Sequence, residues 1–189
     1  MINGIDEESF ETIDVGFKRS LSDMLSINNI ENPILTSQII KFIYAFRNGK
    51  YSANRNTIRN LSNQDAIPYL QTLDNMSNSV EFVKTLSKNK GHQALIGKPV
   101  LGGLHYLMSE IDKDKADYFI EKISTGIDLG ENSPIIALRN KLIKAKTNNR
   151  YKLTNMAMLE NVVQSWNYLR EGSEVKNIRI KSDFEMILK

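Results

Sequence analysis

Six cations stand together in a stretch of chain that contains no acid. From Asn132 to Leu159 there are Arg139, Lys141, Lys144, Lys146, Arg150 and Lys152, and neither Asp nor Glu. Clustered Lys and Arg bind phosphate oxygens when no carboxylate competes for them, so this spacing supports contact with a nucleic-acid backbone. Arg139 and Lys146 are seven positions apart and on a helix would share a face. Asn148, Asn149 and Tyr151 add hydrogen-bonding and stacking groups. The competing reading is a solvated helix end whose cations offset the negative C-terminal pole. A second acid-free stretch, Asn32 to Gln64, extends the basic set with Lys41, Arg47, Arg55 and Arg59. No helix-turn-helix or other named DNA-binding motif is present in the sequence.

The opposite charge collects elsewhere. Glu110 to Glu131 holds seven acids against three bases. On a helix from Asp112 to Glu121, the residues Asp112, Asp114, Asp117 and Glu121 would suit a basic groove on a protein partner by imitating the charge of nucleic acid. The blander reading of Asp112 and Asp114 is solvation of a helix start. DNA or RNA and a protein are therefore the two candidate partner classes. The net charge of +3 does not choose between them. Such fields bear on association, not on fold.

Catalytic chemistry finds little to work with. The chain has no cysteine, which excludes disulfides and thiolate zinc sites. Its two histidines, His92 and His105, have no carboxylate at metal-ligand spacing and read as ordinary structural or surface residues. Ser20 and Ser133 sit in no nucleophile elbow. Gly97-Lys-Pro-Val-Leu-Gly-Gly lacks the spacing of a phosphate loop, and Gly102-Gly103 reads better as a close approach between helices. The expectation is a non-enzymatic protein with no metal and no cofactor.

The elements that must position these groups are helical. With 189 residues, 41% hydrophobic and 25% charged, the chain suits one globular domain. No apolar run reaches a membrane span, and the acidic N-terminus is not a signal peptide, so no membrane and a cytoplasmic location are expected. Asp6 and then Ser20 or Ser22 are candidate caps for two short helices. Asn32-Pro33 signals the start of a helix whose wide apolar face, Ile34 to Phe46, marks it as central, with Asn48-Gly49 as its stop. Further helices are expected from Ser62 to Leu73, Asp74 to Lys88 and Lys98 to Ile111. Asp112, Ser133 and Thr154 are the next caps, and Gly126 and Gly172 are stops. Trp166 lies on the apolar stripe with Leu159, Val162 and Val163 and reads as core. Val175 to Ile180 alternates bases with apolar residues, as a short strand or an extended tail that returns along the body.

Two borders carry a resemblance. Phe10-Glu-Thr-Ile-Asp-Val-Gly-Phe-Lys-Arg19 resembles the opening of the helical C-terminal half of phage and mobile-element proteins related to the ParB/sulfiredoxin superfamily. Phe10, Thr12, Ile13, Asp14, Gly16 and Arg19 match, while Glu11, Val15 and Ser20 depart from the pattern. Pro134, Leu138 and Arg139 match a second stretch. Trp166, Asn167, Arg170 and Gly172 match a third, followed by Lys176-Asn-Ile-Arg. The family's N-terminal α/β domain, with its Asp-Gly-Gln-His-Arg signature, has no counterpart here. The resemblance implies structural roles for Asp14, Gly16, Arg19, Trp166, Asn167 and Arg170. Asp14 and Arg19 can pair across Gly16, and Asn167 and Arg170 can hold the tail by its backbone.

The sequence thus predicts an all-α, compact multi-helix domain of eight or nine helices with a short extended C-terminal segment. Residues 1–189 form one domain: border helices over 1–30, a helical core over 32–130, and the basic helix, Trp helix and tail over 133–189. The function expected is that of a phage or mobile-element accessory protein that binds nucleic acid through a basic helical face. The alternative is a protein-binding inhibitor of a host factor, for example an anti-defence protein, that uses the acidic helix.

Overall fold

The computed structural model describes residues 20–27, 29–49, 68–69, 72–87, 99–148 and 150–189. Seven α-helices lie among them: α1 Leu21–Ile27, α2 Pro33–Arg47, α3 Leu73–Ser87, α4 Pro99–Ile111, α5 Lys113–Thr125, α6 Pro134–Thr147 and α7 Asn155–Arg170. The described residues contain no strand. The tail from 171 onward is irregular. The helix expected after Asp6 lies outside the described residues, as do Asp14, Gly16, Arg19, Arg55, Arg59 and His92.

Most borders are set by local chemistry. Ser20 caps α1 in a reciprocal pair, with its N–H donating to Asp23 Oδ2 at 3.0 Å and its Oγ accepting from the Asp23 N–H at 3.3 Å. Asp112 accepts from the Lys115 N–H at 3.1 Å, Ser133 from Ile135 at 3.3 Å and Thr154 from Ala157 at 3.1 Å. Asn32 departs from expectation. It precedes Pro33 as predicted, but its backbone is left-handed at φ 52° and its side chain makes no cap. Asn tolerates that region better than most residues, so position and Pro signal were right while the capping mechanism was not. Leu73, expected to close one helix, opens α3 instead.

Two apolar clusters form the core and meet at α4. One joins α1, α2, Tyr69 and the start of α3 to Tyr106 and Leu107. The other joins Leu101, Leu104 and Met108 to α5, α6, α7 and the tail residues Ile178 and Met186. The helix at the centre is therefore α4, not α2. All residues from Leu101 to Met108 are buried, whereas α2 leaves Ile34 66% exposed. The wide apolar face of α2 reported its length of contact and not its place.

Gly102 and Gly103 let α4 be enclosed. A Cβ on Gly102 would stand 3.1 Å from Val80 Cγ2 and 3.2 Å from Val80 Cα on α3. One on Gly103 would meet Phe42 Cδ1 of α2 at 2.7 Å. The two glycines thus receive two different helices. Gly102→Val should destabilise the protein by about 1–3 kcal/mol, because the α3 backbone itself must shift. Gly130→Ala, where an added Cβ meets nothing within 4 Å, should stay within about 0.5 kcal/mol of wild type. Urea denaturation of both variants checks this.

Candidate nucleic-acid interface

α6 sorts the basic stretch into two kinds of cation. Ile135, Leu138 and Leu142 face the core, and Arg139 falls among them. Its side chain is 8% exposed, donates to the Ile123 carbonyl and fills the space beside Gly126. Burial lowers its pKa, though a guanidinium remains charged. Arg139 therefore ties α6 to the end of α5 and is withdrawn from any phosphate face. Its helical offset of four from Ile135 and three from Leu142 was the available sign. Lys141 is half-buried, and its Nζ donates to the Ile178 carbonyl at 3.0 Å. Desolvation pushes its pKa down.

Past Ile143 the helix outruns its neighbours. Lys144, Lys146, Thr147 and Asn148 are all exposed. The Asn148 side chain accepts from the Arg150 N–H at 2.9 Å, and its carbonyl accepts from the Tyr151 N–H at 2.9 Å. These bonds turn the chain so that Arg150 and Lys152 also face solvent, while Lys144 lies 5.0 Å over the Tyr151 ring. Among the described residues none of Lys144, Lys146, Arg150 and Lys152 forms an ion pair, whereas Lys113, Lys115, Arg170 and Lys189 all do. The tail adds Lys176, Arg179 and Lys181, exposed and likewise without ion pairs. The Lys141–Ile178 bond brings that segment beside α6. The alternation of bases with apolar residues from Val175 to Ile180 signals only packing in the sequence; that these bases lie beside α6 depends on the tertiary contact.

The second basic group does not assemble. Arg47 is paired to Glu110 at 2.6 Å and lies 5.5 Å over Tyr69, so it joins α2 to α4. Lys41 is half-buried on α2, and Arg55 and Arg59 lie outside the described residues.

The acidic helix is also divided. Asp112 caps α5 and binds Arg170 of α7. Asp117 accepts from His105 Nε2 at 2.8 Å and from Lys113 at 2.7 Å. Both carboxylates hold the fold together, which leaves Asp114 and Glu121 exposed for a partner. His105 is 4% exposed and lies 4.8 Å from the Phe82 ring in a stacked pair. Burial lowers its pKa more than the Asp117 contact raises it, so it is neutral at pH 7. Burial would raise Asp117, but its bonds from Lys113 and His105 prevail and hold it below the usual carboxylate value.

The motif residues of α7 act on the tail. Trp166 is 0% exposed, packs edge-on against Phe119 at 5.7 Å, and donates its Nε1–H to the Lys189 carbonyl at 3.1 Å. Asn167 donates to the Ile187 carbonyl at 2.8 Å and accepts from the Lys189 N–H at 2.9 Å. Arg170 Nε reaches the Lys189 carbonyl at 3.4 Å. Asn167 and Arg170 thus bond tail backbone at 187–189, near its far end. The stretch from Val175 to Ile180 returns along the body by other means: Val175 donates to the Asn132 carbonyl at 2.7 Å, and Ile178 is buried.

Among the described residues no group of three or more His, Asp or Glu could hold a metal ion. No helix among them is long and apolar enough to cross a membrane. Comparison with family models, with curated proteins and with solved structures gives no match.

Two outcomes follow for the α7 contacts and the buried histidine. Trp166→Ala should cost about 3–5 kcal/mol, and Asn167→Ala about 1–3 kcal/mol, since it strips two part-buried backbone groups of their partner. Chemical denaturation measures both. Stability should also fall on acidification. Unfolded histidine takes a proton below about pH 6.5, while buried His105 resists it, so the unfolded state holds more protons in that window. Asp117 adds a further loss below about pH 4, where the unfolded carboxylate protonates first. The urea midpoint should therefore drop between pH 7 and 5.5, and His105→Gln should flatten that drop.

Proposed function

We propose that this chain is a nucleic-acid-associated accessory module, without catalysis of its own, that holds phosphates on Lys144, Lys146, Arg150 and Lys152. The observation that supports the reading is the exposed, acid-free cluster at the end of α6 and in the loop beyond it, where no cation is spent on an ion pair among the described residues. Such charges are free to displace the counterions of a phosphate backbone. The shape of the contact, a helix end and a loop without a projecting recognition helix, favours backbone contact over base readout in duplex grooves. The sequence resemblance to phage and mobile-element proteins is compatible with such a role in a bacterial host. The rival reading, a protein partner on the acidic helix, is weakened because Asp112 and Asp117 are engaged within the fold.

The test is fluorescence anisotropy with labelled oligonucleotides at low salt. Wild type should bind DNA or RNA with little sequence preference. With four phosphates engaged on duplex, the slope of log K on log salt should be roughly −3 to −4. Replacing Lys144, Lys146, Arg150 and Lys152 with Glu should abolish binding while leaving the melting temperature close to wild type, because these side chains are exposed. Failure of the wild type to bind any nucleic acid at low salt overturns the reading.

A further inference from the structure

The tail is held by side-chain hydrogen bonds at two places, and between them Ile180 and Phe184 rest against the core. Lys141 holds the Ile178 carbonyl, and Asn167 holds Ile187 and Lys189. Met186 is buried in the core just before the second anchor. The intervening residues form an arch, and between the arch and α7 lies an open groove of about 420 Å³. Gln164 and Tyr168 line it from α7, and Arg179, Lys181 and Phe184 line it from the tail.

Three properties of this groove bear on what it would take. Its size falls within the range of small-ligand sites, roughly 300–1,000 Å³. Its two aromatic rings, Tyr168 and Phe184, are half-buried; Phe184 also packs against the core, and neither ring is engaged in a ring–ring or cation–π contact among the described residues. Its charge is mixed: Asp183 and Glu185 line it beside Arg179 and Lys181, yet no ion pair forms between them. Carboxylates in the lining oppose a phosphate inside the groove. They do not oppose a nucleobase: the exocyclic amino group of adenine, cytosine or guanine needs an acceptor, and the face of any base stacks on an aromatic ring. Arg179 and Lys181 would then meet the flanking phosphates at the rim.

We propose that this groove receives an unstacked base of a single-stranded nucleic acid, with Tyr168 and Phe184 as the stacking surfaces. The proposal rests on the reading of the basic face given above and narrows it to single strands, because the bases of a duplex are already stacked and paired. DNA and RNA strands share the chemistry that the groove would recognise.

Anisotropy of the full chain with a 12-nucleotide DNA strand, the RNA strand of the same sequence and the corresponding DNA duplex separates the possibilities. Binding to one or both single strands should be about tenfold tighter than to the duplex, in line with the contribution of one stacked base. Tyr168→Ala should remove most of that difference while leaving duplex binding unchanged, and Tyr168→Phe should keep it. Phe184→Ala, checked for folding by its melt, should act like Tyr168→Ala. Equal binding of strand and duplex, or a Tyr168→Ala variant indistinguishable from wild type on single strands, overturns the groove and leaves the basic face standing. Absence of all binding in the wild type overturns both.

Discussion

From Leu101 to Met108 every residue of α4 is buried, and a helix covered on its whole circumference imposes demands on its neighbours. Helices can approach from several sides only where side chains are small, which Gly102 and Gly103 provide at adjacent positions for α3 and α2. Glycine inside a helix costs about 1 kcal/mol relative to alanine, and here close packing offsets it. Any polar side chain on such a helix must also be satisfied. His105 meets this at one nitrogen only: it lies neutral against Phe82 and donates from Nε2 to Asp117 of α5, while its Nδ1 is buried without a hydrogen-bond partner. The enclosed helix thus fixes where α2, α3 and α5 run, and it joins both apolar clusters.

The second half of the molecule closes through α7. Trp166, Asn167 and Arg170 all direct polar atoms to main-chain groups of the tail, and Lys141 does the same at Ile178. Bonds of this kind order a segment that has no secondary structure of its own. They read its backbone, while Ile178 and Met186 supply the apolar anchors. Arg170 also binds Asp112, the residue that caps α5, so the tail, the end of α7 and the start of α5 form one connected polar network.

That network sorts the charges. A chain with nearly balanced acids and bases can bury few of them without partners, and this fold partners those that lie between helices. Arg139, Arg47, Asp112 and Asp117 all serve as ties. Among the described residues, the cations beyond the packed part of α6 and Lys176, Arg179 and Lys181 on the tail are exposed and form no ion pair. The resulting field is local, a basic end beside a groove, and it is more confined than the alternating blocks of charge along the sequence.

Much of the architecture was legible before folding because its signals are local. Ser20, Asp112, Ser133 and Thr154 cap helices, and Asn48-Gly49, Gly126 and Gly172 end them, through chemistry that spans three or four residues. The burial of Trp166 followed from its place on an apolar stripe, and the role of Gly102-Gly103 from the cost of putting glycine in a helix without cause. What the sequence could not decide is whatever depends on a distant neighbour. Whether α2 or α4 is central turns on how many helices surround each, which no period of one helix encodes. Whether Arg139 or Lys144 meets solvent depends on where α5 and the tail lie, since identical charges on one helix differ only in what covers them. The groove between α7 and the arch exists because Ile178 and Ile187 are anchored to residues 37 and 20 positions away, and a concavity made by two separate anchors is a property of tertiary structure alone.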